Sequence, residues 1–491
     1  MSPCGFGSDV VSFLLTDFPH NLARLHNRTS ICGNIPRTKI KFAIASQFLF
    51  KSLALTWALR QDGAMKKAGL NTRVAVLEVL EAVLRQKHSL DQAFDNSEKI
   101  KSLEIRDRAF ARSLIATTLR RLGQIDDLIS KCLNKPLGKK ARRAEMLLRI
   151  GVCQLVFMGT AEHAAISTTV ELAQRLNEGP YKKMINAVLR KIQRESEELL
   201  RQQDVVKLMV PEWLWTSWKS AYGETVTRDI AEAHLLEPML DISCKSDPVS
   251  WAEKLDGELL TPGTVRRPSG GNIRDLPGFA EGAWWIQDVA ARMAVSLLGD
   301  VQGKYVIDLC AAPGGKTLFL ANAGAEVTAV DRSENRLKRV HENLGRLNLE
   351  ADVITADVVN WRPTKQADYV LLDAPCSATG TLRRHPDVAY LKSQSDVDKL
   401  SALQSRLLDA AADMVVPTGI ILFCTCSLQP EEGPDQIAAF LSRNQNFRLD
   451  RIEGPEIFTD QNPSGMFRSL PSDMKDQGGR DGFFAARLQR I

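Results

Sequence analysis

The chain has 491 residues, of which 44% are apolar and 25% charged, with a net charge of +5 and nine cysteines. That length allows about three domains of roughly 150 residues, each able to bury a core, and excludes a small disulfide-stapled scaffold. The mild basic bias permits a nucleic-acid partner without demanding one. Scattered cysteines point to reduced thiols in a cytoplasmic setting, and no apolar run is long enough to span a bilayer.

Residues 1–64 differ from the rest, with Lys, Arg, Ser and Asn, no Glu, and only Asp9, Asp17 and Asp62 as acids. Two expectations follow: a targeting extension, or a start assigned upstream of the one at Met65-Lys66-Lys67. The fold is therefore read from residue 65 onward.

From Thr72 to Leu200 apolar residues recur at helical spacing, as in Val74, Val76, Leu77, Val79, Leu80 and Val83. With no β-rich run between them, residues 65–200 are expected to form an all-α domain. Asp107–Arg121 and Glu145–Leu155 read as amphipathic helices, and the basic run Lys139, Lys140, Arg142, Arg143 as a solvated face or a grip on phosphates. Asp107-Arg108 with Arg120, Leu148-Arg149, Gln154-Leu155, Glu162-His163-Ala164-Ala165, Val170-Glu171 and Asn186-Ala187-Val188-Leu189-Arg190 together resemble the NusB family. Ala161 departs from the proline usual there. The resemblance implies contact with RNA or a ribonucleoprotein.

Residues 201–283 are expected to connect the two halves and to dock RNA. Trp213, Trp215 and Trp218 open this stretch at helical spacing, a pattern that core packing explains more often than base stacking. Residues 262–277, rich in Gly, Pro and Arg, read as loops between short strands and suggest no chemistry of their own.

Residues 284–491 read as a catalytic domain. Beyond Gly303 strands at Tyr305–Leu309, Val327–Val330, Val353–Thr355, Tyr369–Leu372 and Ile420–Thr425 alternate with helices at Lys316–Ala323, Ser333–Leu347, Ser395–Val415 and Pro434–Leu441. This alternation predicts a Rossmann-like, doubly wound, mostly parallel α/β sheet with ligands at the carboxyl ends of its strands.

Three motifs fall at such ends. Asp308-Leu309-Cys310-Ala311-Ala312-Pro313-Gly314-Gly315-Lys316 is a strand, a glycine turn and a helix start, where backbone approaches a ligand and the helix terminus favours an anion. It lacks the spacing of a phosphate-binding loop and of a dinucleotide fingerprint. S-adenosylmethionine, a nucleoside with a free amino-acid end, suits it. Asp331 is placed for the ribose hydroxyls, Asp357 for the adenine amino group, and Asp373 nearest the reacting atoms.

The remaining two motifs carry cysteines. Asp373-Ala374-Pro375-Cys376 ends one strand; Cys424-Thr425-Cys426 ends another, with Cys424 expected in the core and Cys426 past the strand end. Zinc would need two further ligands, which the spacing of the seven histidines and other cysteines does not supply, and a structural disulfide does not suit a reducing compartment. No metal is expected. A nucleophile fits: a thiolate adding to C6 of a pyrimidine makes C5 an enamine carbon able to take a methyl group. Asp373, if protonated or sharing a proton with cytosine N3, would stabilise the negative charge developing on the ring.

Phe279 to Ile491 is similar to the Nop/Sun (RsmB/NOP-type) RNA cytosine-C5 methyltransferases. The resemblance is carried by Asp308–Lys316, Leu372–Gly380, Thr425–Ser427 with Pro430-Glu431-Glu432, and Asp481-Gly482-Phe483-Phe484. It implies Cys426 as covalent nucleophile, Cys376 in product release, and cofactor contacts from Cys310 through Lys316, Asp331, Asp357 and Asp373. With the NusB-like region in front, it implies the bacterial branch that acts on small-subunit ribosomal RNA. Gly433 departs from the usual asparagine, Arg292 from a frequent glutamine, and Asp241-Ile242-Ser243 from an Arg-containing segment. Alternatives are a tRNA cytosine-C5 methyltransferase, a DNA cytosine-C5 methyltransferase using a Pro-Cys nucleophile, and a non-catalytic NusB-like antitermination factor. Target nucleotide and oligomeric state are not readable.

Overall fold

The computed structural model describes residues 69–261, 263–452 and 465–491, and Leu70–Ile491 form one compact unit. The expectations for residues 1–64 lie outside the described residues.

The front part is helical: α1 (69–86), α2 (Leu90–Asp95), α3 (Glu98–Lys101), α4 (Ile105–Arg120), α5 (Leu122–Cys132), α6 (Arg142–Val152), α7 (Glu162–Arg175) and α8 (Lys182–Arg201). Helix α8 shows why. Its Ile185, Val188, Leu189 and Ile192 recur at three- and four-residue steps and are all buried, facing a core that includes Leu80, Leu114, Leu128 and Leu148. Each such burial contributes roughly 1.5–3 kcal/mol. Helix α6 passes into a wider turn over Cys153–Phe157.

Next come α9 (Val205–Leu208) and α10 (Glu212–Ala233), the latter kinked at Gly223, whose φ of 79° suits glycine. Trp215 and Trp218 of α10 are buried in an apolar cluster with Leu214, Leu382 and Leu428. A small antiparallel sheet follows, in the order β2-β3-β1-β4, from β1 (Leu240–Cys244), β2 (Glu258–Thr261), β3 (Thr264–Arg267) and β4 (Trp284–Ile286), with α11 (Pro248–Lys254) between β1 and β2. Its last strand lies just past residue 283, so the small sheet runs into the stretch read as catalytic.

The stretch 262–277, read as chemically silent, holds a buried charge instead. Arg266 on β3 donates to both carboxylate oxygens of Asp241 on β1, at 2.7 and 2.8 Å, and both side chains are buried. Loop-like composition concealed this because the partner lies on another strand.

The large sheet has the order β10-β12-β9-β8-β5-β6-β7, with β11 pairing β12. Its strands are β5 (Tyr305–Leu309), β6 (Glu326–Asp331), β7 (Asp352–Thr355), β8 (Ala367–Asp373), β9 (Val415–Thr425), β10 (Phe447–Asp450), β11 (Phe467–Ser469) and β12 (Phe483–Arg490). Helices α12 (Val289–Ser296), α13 (Gly315–Asn322), α14 (Glu334–Leu347), α15 (Val388–Leu391), α16 (Gln394–Met414) and α17 (Pro434–Arg443) alternate with them. Strands β5 to β9 pair in parallel, as the alternation predicts, while β10, β11 and β12 add antiparallel pairs that the sequence reading did not include. The parallel register places Asp373 beside Cys424, so the ends of β8 and β9 emerge together.

Candidate active site

The glycine turn sits where β5 meets α13. Cys310 has a φ of 61° and Gly314 a φ of 104°, and a Cβ on Gly314 would stand 3.2 Å from Val340 of α14. Glycine there lets the turn close against α14. Beneath it Asp308 is fully buried and accepts from the Thr317 hydroxyl at 2.6 Å, while burial pushes its carboxyl up to about 7.

The predicted cofactor residues lie along this turn. Asp331, at the end of β6, is buried; one oxygen accepts from Ser333 N at 2.9 Å and the other from Ala312 N at 3.2 Å, with Arg336 at 3.5 Å. It therefore braces the turn while also lining a hollow with Cys310, Asp357, Pro375, Leu403 and Leu407. Asp357 stands two residues beyond β7 rather than at its end, exposed, and accepts from Val359 N and Asn360 Nδ2. A larger cleft of about 410 Å³ lies across the turn, lined by Ala311, Pro313, Gly315, Lys316 and Asp373 together with Trp285 and Gln287. Two carboxylates, with Arg332 and Arg336, beside the apolar Val358, Pro375, Leu403 and Leu407 on one side, and a glycine turn leading to an open cleft on the other, fit a nucleoside that carries an amino-acid tail.

Lys316 and Asp373 form a salt bridge at 2.7 Å, with the lysine nearly buried and 5.0 Å from the centre of the Phe483 ring. Burial opposes the ammonium charge, but the Asp373 carboxylate outweighs it, so Lys316 stays protonated well above its ordinary value. The other Asp373 oxygen is 3.6 Å from Cys424 Sγ. Cys424 is fully buried on β9, in the core position expected for it, and burial pushes its thiol well up.

Cys376 and Cys426, fifty residues apart in sequence, meet with sulfurs 3.5 Å apart, both half-buried. The hydrogen bond to Cys426 and burial push the Cys376 thiol well above its ordinary value. Backbone bonds continue the strand pairing past the strand ends: Ala374 N donates to Cys424 O at 2.9 Å and Gly380 N to Cys426 O at 3.0 Å. Gly380 is required by close approach, since a Cβ there would lie 2.1 Å from Gly482 O.

Sequence reading missed the groups beneath the thiols. Glu432 is fully buried and accepts from Ser377 N at 2.8 Å, Ser427 Oγ at 2.6 Å, Gln404 Nε2 at 3.1 Å and the Ser377 hydroxyl. The only available signal was Pro430-Glu431-Glu432 closely following Cys426. At the Gly433 departure a Cβ would stand 2.9 Å from the end of the Arg468 side chain and 3.2 Å from the Phe484 ring, a tight fit that a shift of these side chains could relieve. Arg292, the second departure, lies with its guanidinium 5.1 Å from the centre of the Phe319 ring.

A mostly parallel sheet with this glycine turn, acids at or just past strand ends and a pair of thiols beside them defines a Rossmann-like methyltransferase. A family model described as 16S rRNA methyltransferase RsmB/F matches residues 295–489, and the NusB family model matches residues 70–194. The Ribosomal RNA small subunit methyltransferase B of Cronobacter sakazakii is 35% identical over 442 residues, covering 86% of this chain and 99% of that protein. Its namesake from Escherichia fergusonii is 35% identical over 435 residues, covering 85% and 98%. The crystal structure of PH0851 shares the fold, with a TM-score of 0.67 at 23% identity over 86% of this chain and 98% of that one. The chain belongs to the RsmB/F family of 16S rRNA methyltransferases, with a NusB-family helical region in front. It is an RNA cytosine methyltransferase of that family.

Proposed function

We propose that the chain methylates C5 of a cytosine in small-subunit ribosomal RNA, in the cytoplasm, through a covalent adduct between Cys426 and C6 of the base. The observation that carries this reading is the 3.5 Å approach of Cys376 and Cys426 beside the Lys316–Asp373 pair. The methyl donor is S-adenosylmethionine, which when bound supplies an electrophilic methyl group on a sulfonium. Asp331 and Asp357 would hold its nucleoside, and the backbone from Cys310 to Lys316 its amino-acid end, with Asp373 alongside.

In this reading the Cys426 thiolate attacks C6 and the electron pair moves toward C5, which would then take the methyl carbon as that carbon's bond to the sulfonium sulfur breaks and a neutral thioether leaves. Lys316, held protonated by the Asp373 carboxylate, would face the negative charge that develops on the ring, and Asp373 would share in this only through a proton shared with cytosine N3. A base then takes the C5 proton, the electron pair of that C–H bond re-forms the C5–C6 double bond, and the Cys426 thiolate leaves. Cys376, whose thiol is held protonated by its neighbour and by burial, is disfavoured as a second nucleophile and is left to assist product release.

Reaction of the purified chain with S-adenosylmethionine and separated RNAs from a strain lacking this gene tests the substrate. The expected result is one 5-methylcytosine in small-subunit rRNA and none in tRNA or DNA. Methylation confined to tRNA would overturn the substrate assignment, and methylation at another atom would overturn the chemistry.

A further inference from the structure

Glu432 ends the loop that carries Cys426, and its side chain reaches back beneath both thiols. It closes the tight turn Pro430–Glu432, and its carboxylate takes up four donors. Two come from Ser377, the residue after Cys376, and one from Ser427, the residue after Cys426. The fourth, Gln404 Nε2, also donates to Pro375 O at 2.9 Å, one residue before Cys376. The turn's backbone joins in, because Thr425 Oγ1, one residue before Cys426, donates to Glu432 O at 3.0 Å. The Ser377 and Ser427 hydroxyls are themselves 3.1 Å apart.

No cation among the described residues pairs with this carboxylate. Burial raises the Glu432 carboxyl and the four donors work against that rise. A buried carboxylate without a cation costs several kcal/mol in desolvation unless its lone pairs are filled. Here every donor comes from a residue adjoining a thiol or from one bonded to such a residue. An apolar residue would fill the space at lower electrostatic cost, yet could not join two loops that meet only past their strand ends.

We propose that Glu432 is the positioning residue for the thiol pair: its carboxylate joins the Cys376 and Cys426 loops and sets the separation of their sulfurs. Its mechanistic meaning rests on the covalent role proposed for Cys426, whereas its geometric meaning does not. The two are therefore measured separately.

The test compares the full-length wild-type chain with Glu432→Gln, which keeps the shape but replaces one acceptor oxygen with a donor. In a glutathione redox buffer, two protein thiols and one oxidised glutathione give one protein disulfide and two reduced glutathiones. The equilibrium fraction of the Cys376–Cys426 disulfide, mapped by peptide mass spectrometry, gives the effective concentration of one thiol at the other. It is expected to fall at least about ten-fold in Glu432→Gln. The rate of adduct formation on 5-fluorocytosine RNA is expected to fall about ten-fold or more, with RNA affinity within about two-fold of wild type.

Gln436→Ala is the control, since Gln436 is buried one turn on and bonds Ser401 and Glu431 rather than the thiol loops. It is expected to lower the melting temperature and leave the thiol equilibrium unchanged. If Glu432→Gln fails to fold, Ser427→Ala is measured in the same way. An effective concentration within two-fold of wild type, or an equal loss in Gln436→Ala, would overturn the proposal. Failure of the wild-type chain to form any RNA adduct would count against the covalent reading alone, because the thiol equilibrium still reports on Glu432.

Discussion

The loop after β8, which carries Cys376, and the loop after β9, which carries Cys426, leave neighbouring parallel strands but are anchored to different parts of the chain. The first is tied to the helical region. Asp387 accepts from Leu90 N at 2.9 Å, Tyr390 OH donates to Leu119 O at 3.2 Å, Lys87 donates to Tyr390 O at 2.7 Å and Arg120 to Arg383 O at 2.8 Å. The second is tied to helix α10 and to β11. Trp218 Nε1 donates to Gln429 Oε1 at 2.7 Å, Gln429 Nε2 to Ser217 Oγ at 2.8 Å, and Arg468 to Ser427 O at 2.6 Å. The polar anchors of the two loops therefore differ, while α10 packs against both through Leu382 and Leu428 and Glu432 bonds residues of both.

The largest effect is expected where the Cys376 loop meets the small sheet. Arg384 bonds Asp288 and Asp481, lies 3.8 Å from Asp241, and all three carboxylates are buried. Arg384→Ala leaves them without this cation and should cost about 3–5 kcal/mol in denaturant unfolding. A loss below 1 kcal/mol would mean that the network does not hold the loop.

Beneath the glycine turn, Asp308 offers a pH test. Its carboxyl ionises near 3.8 in the unfolded chain and at about 7 when buried, so the folded state holds the extra proton between those values. The contribution of this group to stability is greatest at low pH, falls as pH rises from about 4 to about 7, and is constant above. Asp308→Asn cannot ionise, so its stability relative to wild type should improve between pH 5 and pH 8, on the order of 2 kcal/mol. A difference that does not change with pH would contradict the shift.

Smaller changes separate the two anchors. Asp387→Ala removes the acceptor for Leu90 N and should cost about 1–3 kcal/mol, slowing product release more than adduct formation in single-turnover kinetics. Trp218→Phe removes the hydrogen bond to the buried Gln429 and part of a fully buried ring, should cost about 1–3 kcal/mol, and should slow adduct formation more than release. The reverse pattern would break the comparison between the loops.

What could be read from sequence was local. The periodicity of α8, the alternation from β5 to β9, the glycine turn and the position of each thiol just past a strand are all set by neighbours in the chain. What escaped was set by distant partners. Arg266 and Asp241 sit on separate strands, and Arg384 gathers acids from three segments. Glu432 finds its donors around two loops. The antiparallel strand β12 was hidden because Phe483-Phe484-Ala485-Ala486 has no alternating pattern: all four residues are buried, inside a sheet covered on both faces. Trp218 was legible as core, but its bond to Gln429 was not.

The central claim is that Cys426 makes the bond to RNA and Cys376 breaks the complex apart. It is tested most directly by mixing small-subunit rRNA containing 5-fluorocytosine, and in parallel unmodified rRNA, with S-adenosylmethionine and each cysteine variant, then mapping the cross-linked peptide. The expected result is an adduct through Cys426 in wild type on fluorinated RNA, none in Cys426→Ala, and an adduct that persists on unmodified RNA in Cys376→Ala. A cross-link through Cys376, or an undiminished adduct in Cys426→Ala, would contradict it.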